Sequence, residues 1–224
     1  MKLRYQRNFN MITSEEFNIL QEKKVAIIGL GGLGGNILEM VVRFGFVNII
    51  AVDYDVFDQS NLNRQILSTE ENIGGMKTKA AVQRVEMINS DVVLDIYDEK
   101  FSYKLGKRIL KGCDIVFDAL DNIPGRLELS KVCDECNIPL VHGAIDGWFG
   151  QVSVVTNYSH MIEYLYKKDT YEESGLGNPS FTPAVVAGIQ VSEGIKYLLK
   201  KGSYLENQVL FIDLFNNMYE NIEI

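Results

Sequence analysis

The 224-residue sequence predicts an α/β fold of Rossmann-like type: a mostly parallel central sheet with helices on both faces and antiparallel strands added at the C-terminal side. Three observations carry this expectation. An uninterrupted apolar run, Val25 to Ile28, stops at a glycine-rich turn. Short β-branched runs then alternate with segments of helical period as far as Cys136. Finally, Gly143, Gly147 and Gly150 punctuate a stretch whose later part, up to Val155, reads as a strand that changes direction.

Thr13 and Glu16 have the spacing of a capping box, so Ser14 to about Glu22 is expected to be a short helix and residues 1–22 an N-terminal helical arm. Val25–Ile28 suits a strand buried on both faces. From Asn36 to Phe44, the residues Ile37, Leu38, Met40, Val41 and Phe44 recur at helical spacing, and Val47–Val52 is again a strand. Ala81, Val85 and Ile88 mark a helix face, Val92–Ile96 a strand, Leu105–Leu110 a helix and Ile115–Phe117 a strand. Pro124 opens a helix that runs to about Cys136, and Pro139–His142 leads the next strand. Asn157–Ser180 has no clear period, contains Gly175, Gly177 and Pro179, and is expected to be a crossover loop within one domain spanning 1–224. Thr182 followed by Pro183 reads as a cap with proline in the first turn of the last helix, and Val209–Leu214 as a late strand.

Composition narrows the function classes. Lys plus Arg number 22 against 30 Asp plus Glu, a net charge of −8, which argues against nonspecific duplex binding while leaving room for a local basic site, and no nucleic-acid partner is expected. At 46% hydrophobic and 23% charged the chain has enough apolar residues for a core. It contains no apolar run of about 18 residues, and Met1–Asn10 is polar, so neither a membrane span nor a signal peptide is expected. Three cysteines make no disulfide framework, and a cytoplasmic location is expected.

Chemistry concentrates at four places. Gly29, Gly31, Gly32 and Gly34 lie between a buried strand and a helix, where glycine lets the backbone approach a phosphate and the helix amides supply positive potential. Asp53 follows the second strand, where a ribose hydroxyl would bind. The turn alone fits a nicotinamide dehydrogenase or a tight turn without ligand, but the next loop asks for more. Asp53, Asp55 and Asp58 crowd it, and Ser60-Asn61-Leu62-Asn63-Arg64-Gln65 brings a guanidinium and several amides, suited to an additional phosphate. Lys77 follows Gly74 and Gly75 at the start of a helix and reads as a point charge for the same anion or as a surface lysine. Asp118-Ala119-Leu120-Asp121-Asn122 ends the fourth strand at the carboxyl edge, Asp121 placed to hold magnesium on a polyphosphate and Asp118 reading as a helix-capping residue.

Arg4-Tyr5-Gln6-Arg7, the glycine turn, Asp53, Ser60 to Gln65, Lys77 and Asp118 to Asn122 occur in the order and at about the spacing of the ThiF/MoeB/HesA family, bacterial enzymes related to the ubiquitin-activating enzymes. The resemblance continues through His142-Gly143-Ala144 and Gly150-Gln151-Val152 to the helix after Pro183. It implies ATP-dependent adenylation of the C-terminal glycine of a small ubiquitin-like sulfur carrier ending in Gly-Gly, with release of pyrophosphate, in thiamine or molybdopterin-type cofactor synthesis. By resemblance Gly32, Asp53, Ser60, Asn61, Arg64, Lys77, Asp121 and Asn122 bind ATP, with Asp53 on the ribose, Asp121 on magnesium, and Arg64 and Lys77 on the phosphates. Arg7 matches an arginine that reaches the nucleotide of the neighbouring subunit, which implies a homodimer. Adenylation of a peptide, a tRNA base or another small acid on the same fold is an alternative, as is an NAD-dependent oxidoreductase in which Arg64 and Lys77 are incidental.

The chain departs from many relatives at their zinc site, which uses two Cys-x-x-Cys pairs. Cys133 and Cys136 form one such pair, but near the end of an expected helix and without a second pair. The 157–180 stretch has no cysteine, so no thioester or persulfide can form there, and a separate sulfur donor enzyme is implied. His142 is expected to be a packed histidine, since the implied reaction requires no base. Trp148 and Phe149 either line a carrier groove or pack on the sheet, and Tyr164, Tyr166 and Tyr171 are candidate contacts for a carrier tail. Elemental analysis of the purified protein is expected to find no stoichiometric zinc, and one zinc per chain would overturn that expectation.

Overall fold

A computed structural model describes residues 2–156, 160–166 and 176–223. Eight strands form one sheet: β1 (Lys24–Ile28), β2 (Asn48–Val52), β3 (Val93–Tyr97), β4 (Ile115–Asp118), β5 (Leu140–Asp146), β6 (Phe149–Val155), β7 (Gln208–Asp213) and β8 (Met218–Glu223). Their spatial order is β3-β2-β1-β4-β5-β6-β7-β8. The pairs from β3 across to β5 are parallel, and those from β5 to β8 are antiparallel. The order reverses at β1, which leaves a crevice at the carboxyl edge where β1 meets β4.

Seven helices are described: α1 (Ser14–Glu22), α2 (Gly32–Phe44), α3 (Lys77–Ile88), α4 (Tyr103–Ile109), α5 (Ile123–Cys136), α6 (Met161–Leu165) and α7 (Phe181–Leu199). None is long and apolar enough to cross a membrane. The central strands alternate their side chains between two cores. Val25 and Ile27 of β1 pack with α2 and α7, while Ala26 and Ile28 pack with residues of α4, α5 and α6. All four are fully buried, which explains why β1 reads as a continuous apolar run.

The glycine turn is drawn tighter than the helical period suggests. Helix α2 begins at Gly32, not near Asn36, because the turn glycines form its first turn. Gly29 has φ 99°, and a Cβ there would lie 2.6 Å from the Ala119 carbonyl oxygen. A Cβ on Gly34 would lie 1.8 Å from the Gly29 carbonyl oxygen. The arm before β1 is held by similar close packing. Tyr5 is buried with its ring 4.9 Å from that of Phe17, and Asn89 Nδ2 donates to its hydroxyl at 2.8 Å. Thr13 and Glu16 form the expected capping box.

Four features differ from the sequence expectation. β5 runs on to Asp146 and turns into β6 at Gly147, φ 56°, forming a hairpin. The 157–180 stretch contains helix α6, although 157–159 and 167–175, with Tyr171 and Gly175, lie outside the described residues. Thr182 lies within α7 and does not cap it; its hydroxyl donates to the Gly147 carbonyl at 2.7 Å and ties the helix to the hairpin. Strand β8 is exposed at every position and pairs only with β7, so no apolar alternation announces it.

Gly34→Ala is expected to destabilise the protein by about 3 kcal/mol or more, because backbone must move to admit the methyl. Gly188, on α7, has open space, with nothing nearer than 3.9 Å, so Gly188→Ala is expected to stabilise by about 0.5–1 kcal/mol. Urea unfolding of the two variants checks the pair, and equal effects would contradict this account.

Candidate active site

A cavity of about 1120 Å³ opens along the carboxyl edge of the sheet. Its wall runs from the ends of β1 and β2, through Ala119–Asn122 after β4, to Ala144–Asp146 on β5, Phe149–Gln151 on β6 and Phe211 on β7. Gly29, Gly31 and Gly32 lie on that wall. No side chain caps the N-terminus of α2, so its leading amides and the positive end of the helix dipole are left for a ligand. Gly34 does not lie on the wall; its place is the contact with Gly29.

Asp53 is only 8% exposed. Its Oδ2 accepts from the Leu30 amide at 2.6 Å and its Oδ1 from the Asp55 amide at 2.8 Å. Burial pushes its pKa up, while those amides and the Lys77 charge pull it down. Two amide bonds leave the carboxylate with acceptor capacity to spare for a sugar hydroxyl. Lys77, the first residue of α3, is buried and donates from Nζ to Asp55 Oδ2 at 2.9 Å. Lys77 is therefore not a surface lysine, and its charge is paired with Asp55.

Arg64 is half-buried on the wall, its Nη1 donating at 2.9 Å both to the Ser60 carbonyl and to Asn63 Oδ1. Ser60 and Asn61 are not on the wall. Asn61 Oδ1 accepts from the Asp58 amide and Asp58 Oδ1 from the Ser60 amide, which closes the 3-10 turn Gln59–Asn61 that carries Arg64. Gln65 is buried beside Gly31, and its Oε1 has no hydrogen-bond partner among the described residues.

Asp121 is exposed at the mouth of the cavity, and Asn122 Nδ2 donates to its Oδ1 at 3.2 Å. Asn122 also caps α5, accepting from the Gly125 amide at 2.9 Å. That corrects the reading of Asp118, which is fully buried and pairs its Oδ2 with His142 Nδ1 at 2.8 Å. His142 is a packed histidine, also fully buried. Arg7 is exposed on the 3-10 turn Leu3–Asn8 and does not line this chain's cavity. Among the described residues no three His, Cys, Asp or Glu side chains converge on a metal position. Burial pushes the Cys133 thiol well up and that of Cys113 to about 11, which makes both poor nucleophiles.

Trp148 and Phe149 part company at the hairpin. Trp148 is half exposed against Phe181 and Phe215, with ring centroids 4.7 and 5.7 Å away, whereas Phe149 stacks on Phe211 within the cavity wall. Sequence reasoning missed Asp146 and Arg126 as wall residues and gave Gln151 no role beyond the family motif, whereas Tyr166, expected as a contact for a carrier tail, does line the cavity. These residues come from β5, α5, β6 and the residue after α6, a gathering with no local signature.

The ThiF family model matches residues 4–224. The chain is 30% identical over 226 residues to the SAMP-activating enzyme E1 of Haloferax volcanii, covering 98% of this chain and 84% of that protein. It is 30% identical over 233 residues to the molybdopterin-synthase adenylyltransferase of Haemophilus influenzae, covering 100% and 95%. The crystal structure of E. coli MccB with ATP superposes with a TM-score of 0.86 over 100% of this chain and 71% of that one, at 20% identity, a likeness of fold. Matched along nearly its whole length, the chain belongs to the ThiF family and is an adenylyltransferase.

Proposed function

We propose that the chain uses ATP to adenylate the C-terminal glycine carboxylate of a small ubiquitin-like sulfur carrier, releasing pyrophosphate, in molybdopterin-type or thiamine cofactor synthesis. One observation carries the reading: a single cavity gathers the glycine turn, Gln65, Arg64, Lys77 and Asp121, and continues past them toward β5–β7 with room for a second substrate. The named molybdopterin-synthase and SAMP-activating relatives support a carrier as that substrate.

In the reaction, a carboxylate oxygen bonds to the α-phosphorus as the bond from that phosphorus to the β-bridging oxygen breaks, and pyrophosphate leaves with the electron pair. The attacking group is already ionised, so alignment and charge stabilisation dominate and no general base is required. The α2 amides and glycine turn cradle the phosphates, while Arg64 and Lys77 oppose the charge that grows on the leaving group. Asp53 and Gln65 hold the nucleoside. Asp121, steadied by Asn122, would hold a magnesium ion, which supplies charge neutralisation on the polyphosphate. Arg7 would serve the cavity of a second subunit in a homodimer. Cys113 and Cys133 are buried, Cys136 is half-buried at the end of α5 outside the cavity wall, and the chain stops at the acyl-adenylate, leaving sulfur delivery to a separate enzyme.

Asp121→Ala is expected to abolish magnesium-dependent, carrier-stimulated pyrophosphate release, and Arg64→Ala to slow it roughly 10²-fold or more, with circular dichroism unchanged for both. Wild-type rates in both variants would remove the site assignment. Magnesium-ATP is expected to raise the melting temperature of the protein and NAD to leave it unmoved, since only a ligand of the native state stabilises it. A shift with NAD alone would refute the nucleotide assignment.

A further inference from the structure

Five polar side chains meet under the segment that follows β6, and the adenylation chemistry uses none of them. Tyr166, the residue after α6, is 7% exposed. Its hydroxyl oxygen lies 2.6 Å from Nη1 of Arg126 on α5, 2.8 Å from Nε2 of Gln151 on β6 and 3.1 Å from Nε2 of His142 on β5. His142 turns its Nδ1 to Asp118 at the end of β4.

One arrangement of protons satisfies these contacts. Burial holds the His142 pKa down, so the ring is neutral. Nδ1 faces a carboxylate, which only accepts, so Nδ1 carries the proton and Nε2 is an acceptor. The Tyr166 hydroxyl donates to that Nε2 and accepts from Arg126 and Gln151; burial pushes the phenol up to about 12, so it keeps its proton. Arg126 is fixed from the other side, donating through Nε and Nη2 to the Leu120 carbonyl, immediately before Asp121. A second tie is apolar: Met161 and Ile162 are buried in the α5 core, and the Ser153 hydroxyl donates to the Met161 sulfur at 3.0 Å.

Burying five polar groups gains little stability over apolar packing of the same volume, so the arrangement calls for a reason beyond folding. Position supplies it. Arg126, Gln151, Leu165 and Tyr166 line the same cavity as Arg64, Lys77 and Asp121. Strand order sets the glycine turn and Asp53 at β1 and β2 and this cluster at β4 to β6, on the far side of Asp121 from the nucleoside position. An acyl group that attacks the α-phosphate has to enter from that side.

We propose that Tyr166 is a positioning residue for the acceptor: gripped by Arg126, Gln151 and His142, its hydroxyl fixes segment 160–166 as the wall against which the acceptor's C-terminal tail is aligned. The grip is independent of the function assigned above; the tail is the one that assignment names. Because 160–166 contains no cysteine, hydrogen bonding takes over what a metal or disulfide could otherwise do in holding it.

Tyr166→Phe keeps the ring in the core and removes only the hydroxyl. Amide hydrogen exchange of 160–166 is expected to accelerate about tenfold in the variant, with the 29–35 turn unchanged, as the loss of a hydrogen bond predicts. With a ubiquitin-like protein ending in Gly-Gly as probe, the KM for that protein is expected to rise about tenfold, while the KM for ATP and kcat stay within about twofold. Unchanged exchange overturns the grip. Accelerated exchange with an unchanged probe KM, or with the KM for ATP rising equally, overturns the positioning role. If the unaltered protein releases no probe-dependent pyrophosphate, the function assigned above fails instead, and the exchange data still decide the grip.

Discussion

The contact between Gly29 and Gly34 is the constraint on which the site depends. Only with no side chain at either position can the first turn of α2 sit against the backbone that leaves β1, and only then can that backbone touch Ala119 after β4. The contact aims the positive end of α2 into the crevice between β1 and β4. Asp53 reinforces it by accepting from the Leu30 amide inside the turn, a bond that offsets part of the cost of burying the carboxyl group. The residue after β2 thus fixes the loop that follows β1.

Charge in the cavity is stored in pairs before any ligand arrives. Lys77 rests on Asp55, Arg64 on the Ser60 carbonyl and Asn63, and Asp121 on Asn122. Each pair restrains a group on the cavity wall, and preorganised groups of this kind leave little to rearrange when a ligand enters. The pairing differs in depth. The Lys77 side chain is nearly inaccessible while that of Asp55 is partly open, so the carboxylate is the outer member of the pair.

What the sequence made legible follows the range of the interactions involved. Capping at Thr13, the apolar run of β1, the helical periods of α2 and α3 and the proline that opens α5 act within a few residues, and the elements stand close to where these signals put them. The glycine turn and Arg64 carried their chemistry in contiguous motifs and stand on one cavity. Asp118 was misread because its partner, His142, is 24 residues away on another strand, and a carboxylate before a helix looks locally like a cap. Thr182 was misread for the same reason, its hydroxyl answering a carbonyl 35 residues back. Strand β8 was missed because its pattern, Met-Tyr-Glu-Asn-Ile-Glu, meets no core on either face.

The polar cluster beneath α6 shows why the acceptor side of the cavity resists sequence reading more than the nucleotide side. Phosphate recognition relies on backbone amides and single charges, which one short loop can present. The acceptor wall joins β4, α5, β5, β6 and the residue after α6, and its members are chosen to satisfy one another's donors and acceptors. Removing one member loosens the rest: without the Tyr166 hydroxyl, His142 Nε2 has Gln151 Nε2 at 3.1 Å as its neighbour. Partners shared in this way restrain one another, the property asked of a wall that is to present one alignment to a flexible peptide tail.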